Sequence, residues 1–307
     1  MRSVSVIVPT YNCGSRLIQA LDSVFAQTYP HDRIELVIVD DGSTDDTGER
    51  VARFKQRTPL RTRYLVQQNA GPAAARNHGM RVARGDAIAF LDSDDWWLPA
   101  KLGRQLPLLN QAVALVYCDN TFVDAAGRPI PDYVRQIPIH RGEILLPLFM
   151  DFFLLTSSVV LARTVVTEVG GFDESLEVGE DYEFFLRIAQ RFKADCVAEK
   201  LLVRCVRPDS LSRRDYALDA RVDLATLGAF LRTNPAFAQR HRRAVHQRIA
   251  RYRYDFAYRL LADNRRREAI GELLRSLRQR ASVGAVRTLV RALLPHATGN
   301  SRRVANV

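Results

Sequence analysis

Phe90-Leu91-Asp92-Ser93-Asp94-Asp95-Trp96-Trp97 sets three carboxylates in four positions, directly after the apolar run Ala87-Ile88-Ala89-Phe90-Leu91. That run is short, bounded by Gly85-Asp86, and reads as a buried strand, so the acids leave its carboxyl end. In an open α/β sheet ligands bind along that edge, and carboxylates crowded there repel one another unless a cation neutralises them. Hard divalent ions such as Mg²⁺ or Mn²⁺ take oxygen ligands, commonly one or two carboxylates plus the phosphates of a substrate. One reading is therefore a metal-diphosphate site. The other is an acidic turn in which Asp94 or Asp95 caps a helix beginning at Trp96-Trp97-Leu98-Pro99. The stretch alone supports both equally.

Working back towards the N-terminus, Ser3 to Pro9 is a β-branched run ending in the polar loop Thr10-Tyr11-Asn12, and Leu17, Ala20, Leu21, Val24 and Phe25 then fall at helical spacing. Ile34 to Val39 reads as a second buried strand delivering Asp40-Asp41-Gly42-Ser43, with Asp45 and Thr47 opening a helix. Arg61 to Gln67 reads as a third strand, and Pro72 stands at the first position of a small-residue helix through Ala73-Ala74-Ala75-Arg76-Asn77. Strands alternating with helices predict right-handed crossovers and a parallel, doubly wound sheet. No G-x-G-x-x-G follows any of these strands, so a dehydrogenase-type dinucleotide fold is unsupported.

Towards the C-terminus the alternation loosens. Val113 to Cys118 reads as a strand, Asp124 to Pro129 as a turn between extended pieces, and Tyr182, Phe185, Ile188 and Ala189 as one helical face with Glu180 and Asp181 at its start. Ile144 to Ala162 is almost wholly apolar, but Pro147, Asp151 and Thr156-Ser157-Ser158 interrupt it, which predicts a buried helix and strand rather than a membrane span. No signal peptide is expected, since the run from Val4 to Val8 is too short. From about Tyr216 the pattern is wholly helical, and Ala257 to Leu277 resembles a helical hairpin.

With 47% hydrophobic and 26% charged residues, the 307-residue chain suits one large core with an appendage. Its four cysteines show neither zinc spacing nor a disulfide framework, which fits a reducing cytosol. The net charge of +11 is uneven: residues 213–307 carry 21 arginines against 7 acids, a net +14, and residues 1–212 carry −3. An Arg-rich tail suggests an anionic surface as partner, and solvated helix faces would also account for it.

In order, Val4 to Asn12, Asp40-Asp41-Gly42-Ser43-Thr44-Asp45, Asn69-Ala70-Gly71-Pro72 through Arg76-Asn77, Leu91 to Asp95, Gly170-Gly171-Phe172-Asp173-Glu174 and Glu180-Asp181 resemble the family 2 nucleotide-sugar glycosyltransferases of GT-A fold. The resemblance spans roughly residues 3 to 212. It implies a Rossmann-like, mainly parallel sheet flanked by helices in a catalytic domain over residues 1–212, followed by a basic, all-helical region over 213–307. It further implies that Thr10 and Tyr11 flank the nucleotide base, that Asp40 bonds it, that Asp41 and Arg76 support substrate, and that Asp92 meets the ribose. Asp94 would ligate Mg²⁺ or Mn²⁺ at the diphosphate, and Asp181 would be the base of an inverting transfer. Members often carry a histidine near the diphosphate where Arg207 stands here, and arginine pairs with phosphate instead of ligating metal.

The expected partners are a nucleoside-diphosphate sugar, with UDP-sugars foremost, a glycan or lipid-linked acceptor, and an anionic membrane surface, with no specific nucleic acid. The expected place is the cytoplasm, peripheral at the inner face of the cell membrane, in cell-surface polysaccharide or glycolipid synthesis. Two other classes compete: a non-catalytic nucleotide-sugar binder, disfavoured by the presence of both Asp94 and Asp181, and a nucleic-acid or anionic-surface binder acting through the tail, for which no recognition module is visible.

Overall fold

The computed structural model describes residues 1–130, 138–206 and 216–294, and the chain divides into two compact units, Met1–Arg207 and Pro208–Val307. In the first unit the β-branched runs Val4–Thr10 (β1) and Ile34–Asp40 (β2) are buried at every position. Strands covered on both faces have no solvent side to alternate towards, which is why each is so largely apolar. Arg61–Val66 (β3) and Ala87–Phe90 (β4) complete a parallel block in the order β3-β2-β1-β4. The intervening helices are Gly14–Phe25 (α1), Thr47–Arg57 (α2) and Gly71–Val82 (α3). Leu17, Ala20, Leu21 and Val24 form the buried face of α1, and Asp45 Oδ1 accepts from the Thr47 amide at 3.0 Å where α2 begins.

Small residues let this block close up. A Cβ on Gly85, just before β4, would come within 2.5 Å of the Ser5 backbone nitrogen on β1. Backbone has to move to admit it, so Gly85→Ala should lower stability by about 1–3 kcal/mol, read as a lower urea midpoint at unchanged slope.

Past β4 the sheet changes direction. Trp96–Trp97 (β5), Val113–Val123 (β6), Val160–Ala162 (β7) and Lys193–Cys205 (β8) extend it to β3-β2-β1-β4-β7-β6-β8-β5. The β4-β7, β7-β6 and β8-β5 pairs are antiparallel, and β6-β8 is parallel. The expected parallel arrangement thus holds for the first four strands, and the added half is mixed. Trp96 pairs with Val203 and Trp97 with Leu202, so these tryptophans form an edge strand. That pairing removes the reading of Asp94 or Asp95 as the cap of a following helix, because the next helix, Lys101–Gln105 (α4), starts only beyond Pro99.

The apolar stretch from Ile144 resolves into the short helix Leu145–Met150 (α5) and β7, then the helix Arg163–Val169 (α6). No described helix is long and apolar enough to cross a membrane. The helix Glu180–Ala189 (α7) follows Gly179, whose φ of 75° lies in the left-handed region that glycine enters freely. Tyr182, Phe185, Ile188 and Ala189 are buried on it, the face read from the sequence. All four cysteines are free.

The second unit contains Tyr216–Thr233 (α8), Pro235–Arg240 (α9), Arg242–Ala262 (α10), Arg266–Gln279 (α11) and Val283–Leu293 (α12). Phe256, Ala257 and Leu260 of α10, Ala269 and Leu273 of α11, and Ala285 and Ala292 of α12 share one small core. Asn264 makes the turn between α10 and α11 with φ 59°, which gives the helical hairpin expected there.

Candidate active site

Register decides which side chains meet at the sheet edge. Thr10 and Asp40 are register partners at the ends of β1 and β2. Phe90 pairs with Ile7, and the Leu91 amide donates to the Ile7 carbonyl at 3.0 Å, so the Asp92–Asp95 turn leaves from the same edge. β4 has a parallel neighbour on one side and an antiparallel one on the other, the kind of switch point at which α/β sheets open a crevice.

The loops at this edge are tied together before any ligand arrives. Asn12 (φ 48°) donates its amide to Ser43 Oγ at 2.9 Å, and its Oδ1 accepts from the Thr44 amide at 2.8 Å. Asp40 is buried, accepting from the Ser43 amide at 2.8 Å and from the Tyr64 hydroxyl. Burial and that bond push the Tyr64 phenol up, which keeps it a neutral donor. Asp41 accepts from Gln67 Nε2 (2.8 Å), the Ala70 amide (2.9 Å) and the Gly71 amide (2.8 Å), so its carboxylate anchors the start of α3. Thr10 Oγ1 is buried with no hydrogen-bond partner among the described residues, while the Tyr11 side chain is exposed. An unpaired buried hydroxyl beside an exposed ring suits a bound planar, polar group.

The acidic turn is built around Ser157. The Asp92 amide donates to Ser157 Oγ at 3.0 Å, the Trp97 indole donates to the Ser157 carbonyl at 2.8 Å, and the buried Asp95 carboxyl bonds the same side chain. Burial pushes Asp95 up to about 8, with Arg204 acting against it and Asp94 adding to it. Asp94 is raised too, by burial and then by Asp92, opposed by Arg204 and Arg16. Carboxyls held in this state gain from a cation close by. Among the described residues no three His, Cys, Asp or Glu side chains are grouped to hold a metal unaided. One or two carboxylates of this turn would suit a hard divalent ion that takes its other oxygen ligands from substrate phosphates or water.

Arg76 joins this turn to α7. Its guanidinium bonds Asp92 at 2.8 Å and Glu180 at 2.7 Å and lies over the Phe172 ring at 5.4 Å. Burial opposes the charge, but Asp92 and Glu180 outweigh that and raise its pKa. Next to it, Asn77 accepts from the Phe172 amide (2.8 Å) and donates to the Phe172 carbonyl (2.9 Å) and Glu174 (2.7 Å). Two consecutive residues of α3 thus hold both the acidic turn and the Gly170–Glu174 segment that leads to α7. Expected at the substrate, Arg76 is only 6% exposed and its charge is committed to two carboxylates. Arg76→Met leaves both uncompensated. We expect a loss of about 3 kcal/mol in urea denaturation, the low end for a broken buried pair because Asp92 remains a third exposed.

Asp181 is partly buried beside this clamp, its Oδ1 accepting from the Tyr182 amide at 2.8 Å. Burial first, then the charge of Glu180, pushes it up to about 7, while Arg76 pulls the other way. A carboxyl that gains and loses its proton near neutrality is suited to general-base work. Arg207 lies outside the described residues. Three residues went unread in the sequence: Ser157, Glu180 as the partner of Arg76, and Arg204. Only the last had a usable signal, since it follows Leu201-Leu202-Val203, a run that pairs with β5 and β6.

The sequence profile of glycosyl transferase family 2 matches residues 5–158, half of the chain. The chain belongs to glycosyl transferase family 2. Among family relatives, the Escherichia coli UDP-Glc:alpha-D-GlcNAc-diphosphoundecaprenol beta-1,3-glucosyltransferase WfaP is 34% identical over 196 residues, covering 62% of this chain and 72% of WfaP. An uncharacterised glycosyltransferase of Rickettsia felis is 33% identical over 193 residues, 61% of this chain but 30% of that protein. The chain spans about a third of the length of several such relatives. Among solved structures, the mannosyltransferase PcManGT from Pyrobaculum calidifontis, in complex with GDP-Man and Mn²⁺, superposes with a TM-score of 0.65 at 22% identity over 94% of this chain and 79% of that one. S. aureus TarS 1-349 in complex with UDP-GlcNAc gives 0.62 at 18% identity over 94% and 90%. At these identities the likeness establishes the GT-A type fold of the family.

Proposed function

We propose that this family 2 chain is an inverting, metal-dependent glycosyltransferase that moves a sugar from a nucleoside-diphosphate sugar to an acceptor hydroxyl. The observation that carries this reading is the arrangement at one sheet edge of Thr10, Asp40 and the Asp92–Asp95 turn, with Asp181 joined to it through Arg76 and Glu180. Thr10, Tyr11 and Asp40 receive the nucleotide base, Asp92 the ribose, and Asp94 is the protein ligand to Mg²⁺ or Mn²⁺. Asp41 and Arg76 position these groups, and Arg207 is the residue assigned to pair with the diphosphate. Asp181 takes the proton of the acceptor hydroxyl as that oxygen bonds to the anomeric carbon. The bond from that carbon to the diphosphate breaks on the opposite side, inverting the centre and releasing the nucleoside diphosphate. A bound divalent cation offsets the negative charge growing on that leaving group.

The catalytic domain covers residues 1–212 in this reading. WfaP's name gives a UDP-sugar donor and a diphosphoundecaprenol-linked acceptor, which supports a UDP-sugar and a lipid-linked acceptor here. Mn²⁺ in the complex of the structurally similar mannosyltransferase supports a metal. A lipid-linked acceptor places the enzyme in glycolipid or cell-surface polysaccharide synthesis, in the cytoplasm and peripheral at the inner membrane face, with residues 213–307 as the attachment region. The test is incubation with a panel of UDP-, GDP- and dTDP-sugars, Mn²⁺ and extracted membrane lipid. The reading expects donor-selective release of nucleoside diphosphate with sugar appearing in the lipid fraction. Release from no donor would contradict it.

A further inference from the structure

In most soluble helices the apolar side faces the core, but α12 carries its larger apolar residues on the outside. Ala285 and Ala292 are buried against the helical unit, whereas Val283, Val286, Val290 and Leu293 are 68%, 48%, 51% and 59% exposed. At about 100° per residue these four fall within a quarter-turn of one another on one side of the helix, continued by the exposed Leu294. Arg287 and Arg291, both exposed, run along the edge of this stripe, and α12 contains no acid.

Some arginines of this unit are paired with acids and others are not. Arg221, Arg251, Arg253, Arg265 and Arg275 are paired with Asp255, Glu268 or Glu272. Arg242, Arg243, Arg280, Arg287 and Arg291 have no such partner among the described residues. Three of these unpaired arginines, Arg242, Arg243 and Arg280, line a cleft of about 630 Å³ together with His246 and Gln247. The cleft opens at the first turn of α10, where the helix dipole adds positive potential. Arg280 stands three residues before Val283, so the basic cleft adjoins the start of the apolar stripe.

We infer that α12 lies in the interface of an anionic phospholipid bilayer, its Val283-Val286-Val290-Leu293 side among the acyl chains and the Arg242-Arg243-Arg280 cleft holding lipid phosphate. An outward apolar stripe edged by arginines matches the layering of a bilayer surface, where hydrocarbon lies beneath a sheet of phosphates. A second copy of the chain fits less well, because pairing two such stripes would bring arginines together with no acid on α12 to meet them. The inference rests on the peripheral attachment proposed above and names the element that makes it.

The test is co-sedimentation of the full chain with vesicles of phosphatidylcholine alone or mixed with phosphatidylglycerol. Wild type is expected to pellet with the mixed vesicles, and Val286→Asp/Val290→Asp to bind at least about tenfold less, since two charges enter the apolar layer. The far-ultraviolet spectrum and urea midpoint of that variant should match those of wild type, which certifies the fold of the helical unit. Arg242→Glu/Arg243→Glu/Arg280→Glu should also lose binding, most clearly at low salt. Undiminished binding by Val286→Asp/Val290→Asp would overturn the role of α12 while leaving attachment by the tail standing. Absence of wild-type binding to either vesicle would overturn the attachment itself. A wild-type dimer made monomeric by Val286→Asp/Val290→Asp, with vesicle binding unchanged, would assign the stripe to a second copy.

Discussion

Asp181→Asn is expected to lower turnover by about 10² to 10⁴ while donor affinity stays within about twofold of wild type, because a general base acts on the acceptor proton and not on donor binding. The pH profile adds a second check. Burial and Glu180 push Asp181 up to about 7, and in its proposed role as base it would act only when ionised. Wild-type kcat/KM should therefore fall about tenfold per unit below that pH and level off above it, and the variant should lose that limb. Stability moves the other way. A carboxyl whose folded pKa is raised contributes fully below the ordinary carboxylate value, and the contribution is lost as pH rises through about 7. Asp181→Asn is accordingly at least as stable as wild type at pH 8, which separates lost chemistry from lost fold. A matching collapse of donor binding would instead make Asp181 part of the diphosphate site.

Asp94→Asn is expected to cost turnover about 10³-fold or more and to weaken donor binding, since it removes the one protein ligand assigned to the cation that offsets leaving-group charge. The isostere keeps the volume and backbone contacts of the turn, and it relieves rather than adds charge repulsion beside Asp92. The far-ultraviolet spectrum and urea midpoint should therefore match or exceed those of wild type. EDTA should reproduce the loss in wild type and have little further effect on the variant. Full activity of wild type in EDTA would remove the metal from the mechanism.

How far the sequence foretells this arrangement depends on how local each determinant is. β1, β2 and β4 are legible because a strand buried on both faces must be a short apolar run, and each ends in a polar loop that marks the sheet edge. β8 is not, because Lys193, Asp195, Glu199 and Lys200 break its apolar pattern and its exposed positions reflect neighbours far away in the chain. Trp96-Trp97 following two aspartates reads equally as a capped helix, and only pairing with Leu202-Val203 makes it a strand. The acids at the strand ends could be named from type and position. What Arg76 does could not, since its partner Glu180 lies 104 residues away and nothing local on α3 distinguishes a buried clamp from a phosphate-binding arginine. The outward stripe of α12 was equally hidden, because periodicity shows that a helix has an apolar side but not whether that side meets a core.

In the proposed reaction the Asp92–Asp95 turn takes a nucleoside diphosphate together with a divalent cation. Calorimetric titration of UDP into the wild-type protein, with Mn²⁺ present and with Mn²⁺ chelated, tests it most directly. Binding should be at least about tenfold tighter with Mn²⁺, a gain that disappears in Asp94→Asn. Equal affinity with and without the metal, or a metal-dependent gain that survives Asp94→Asn, would contradict it.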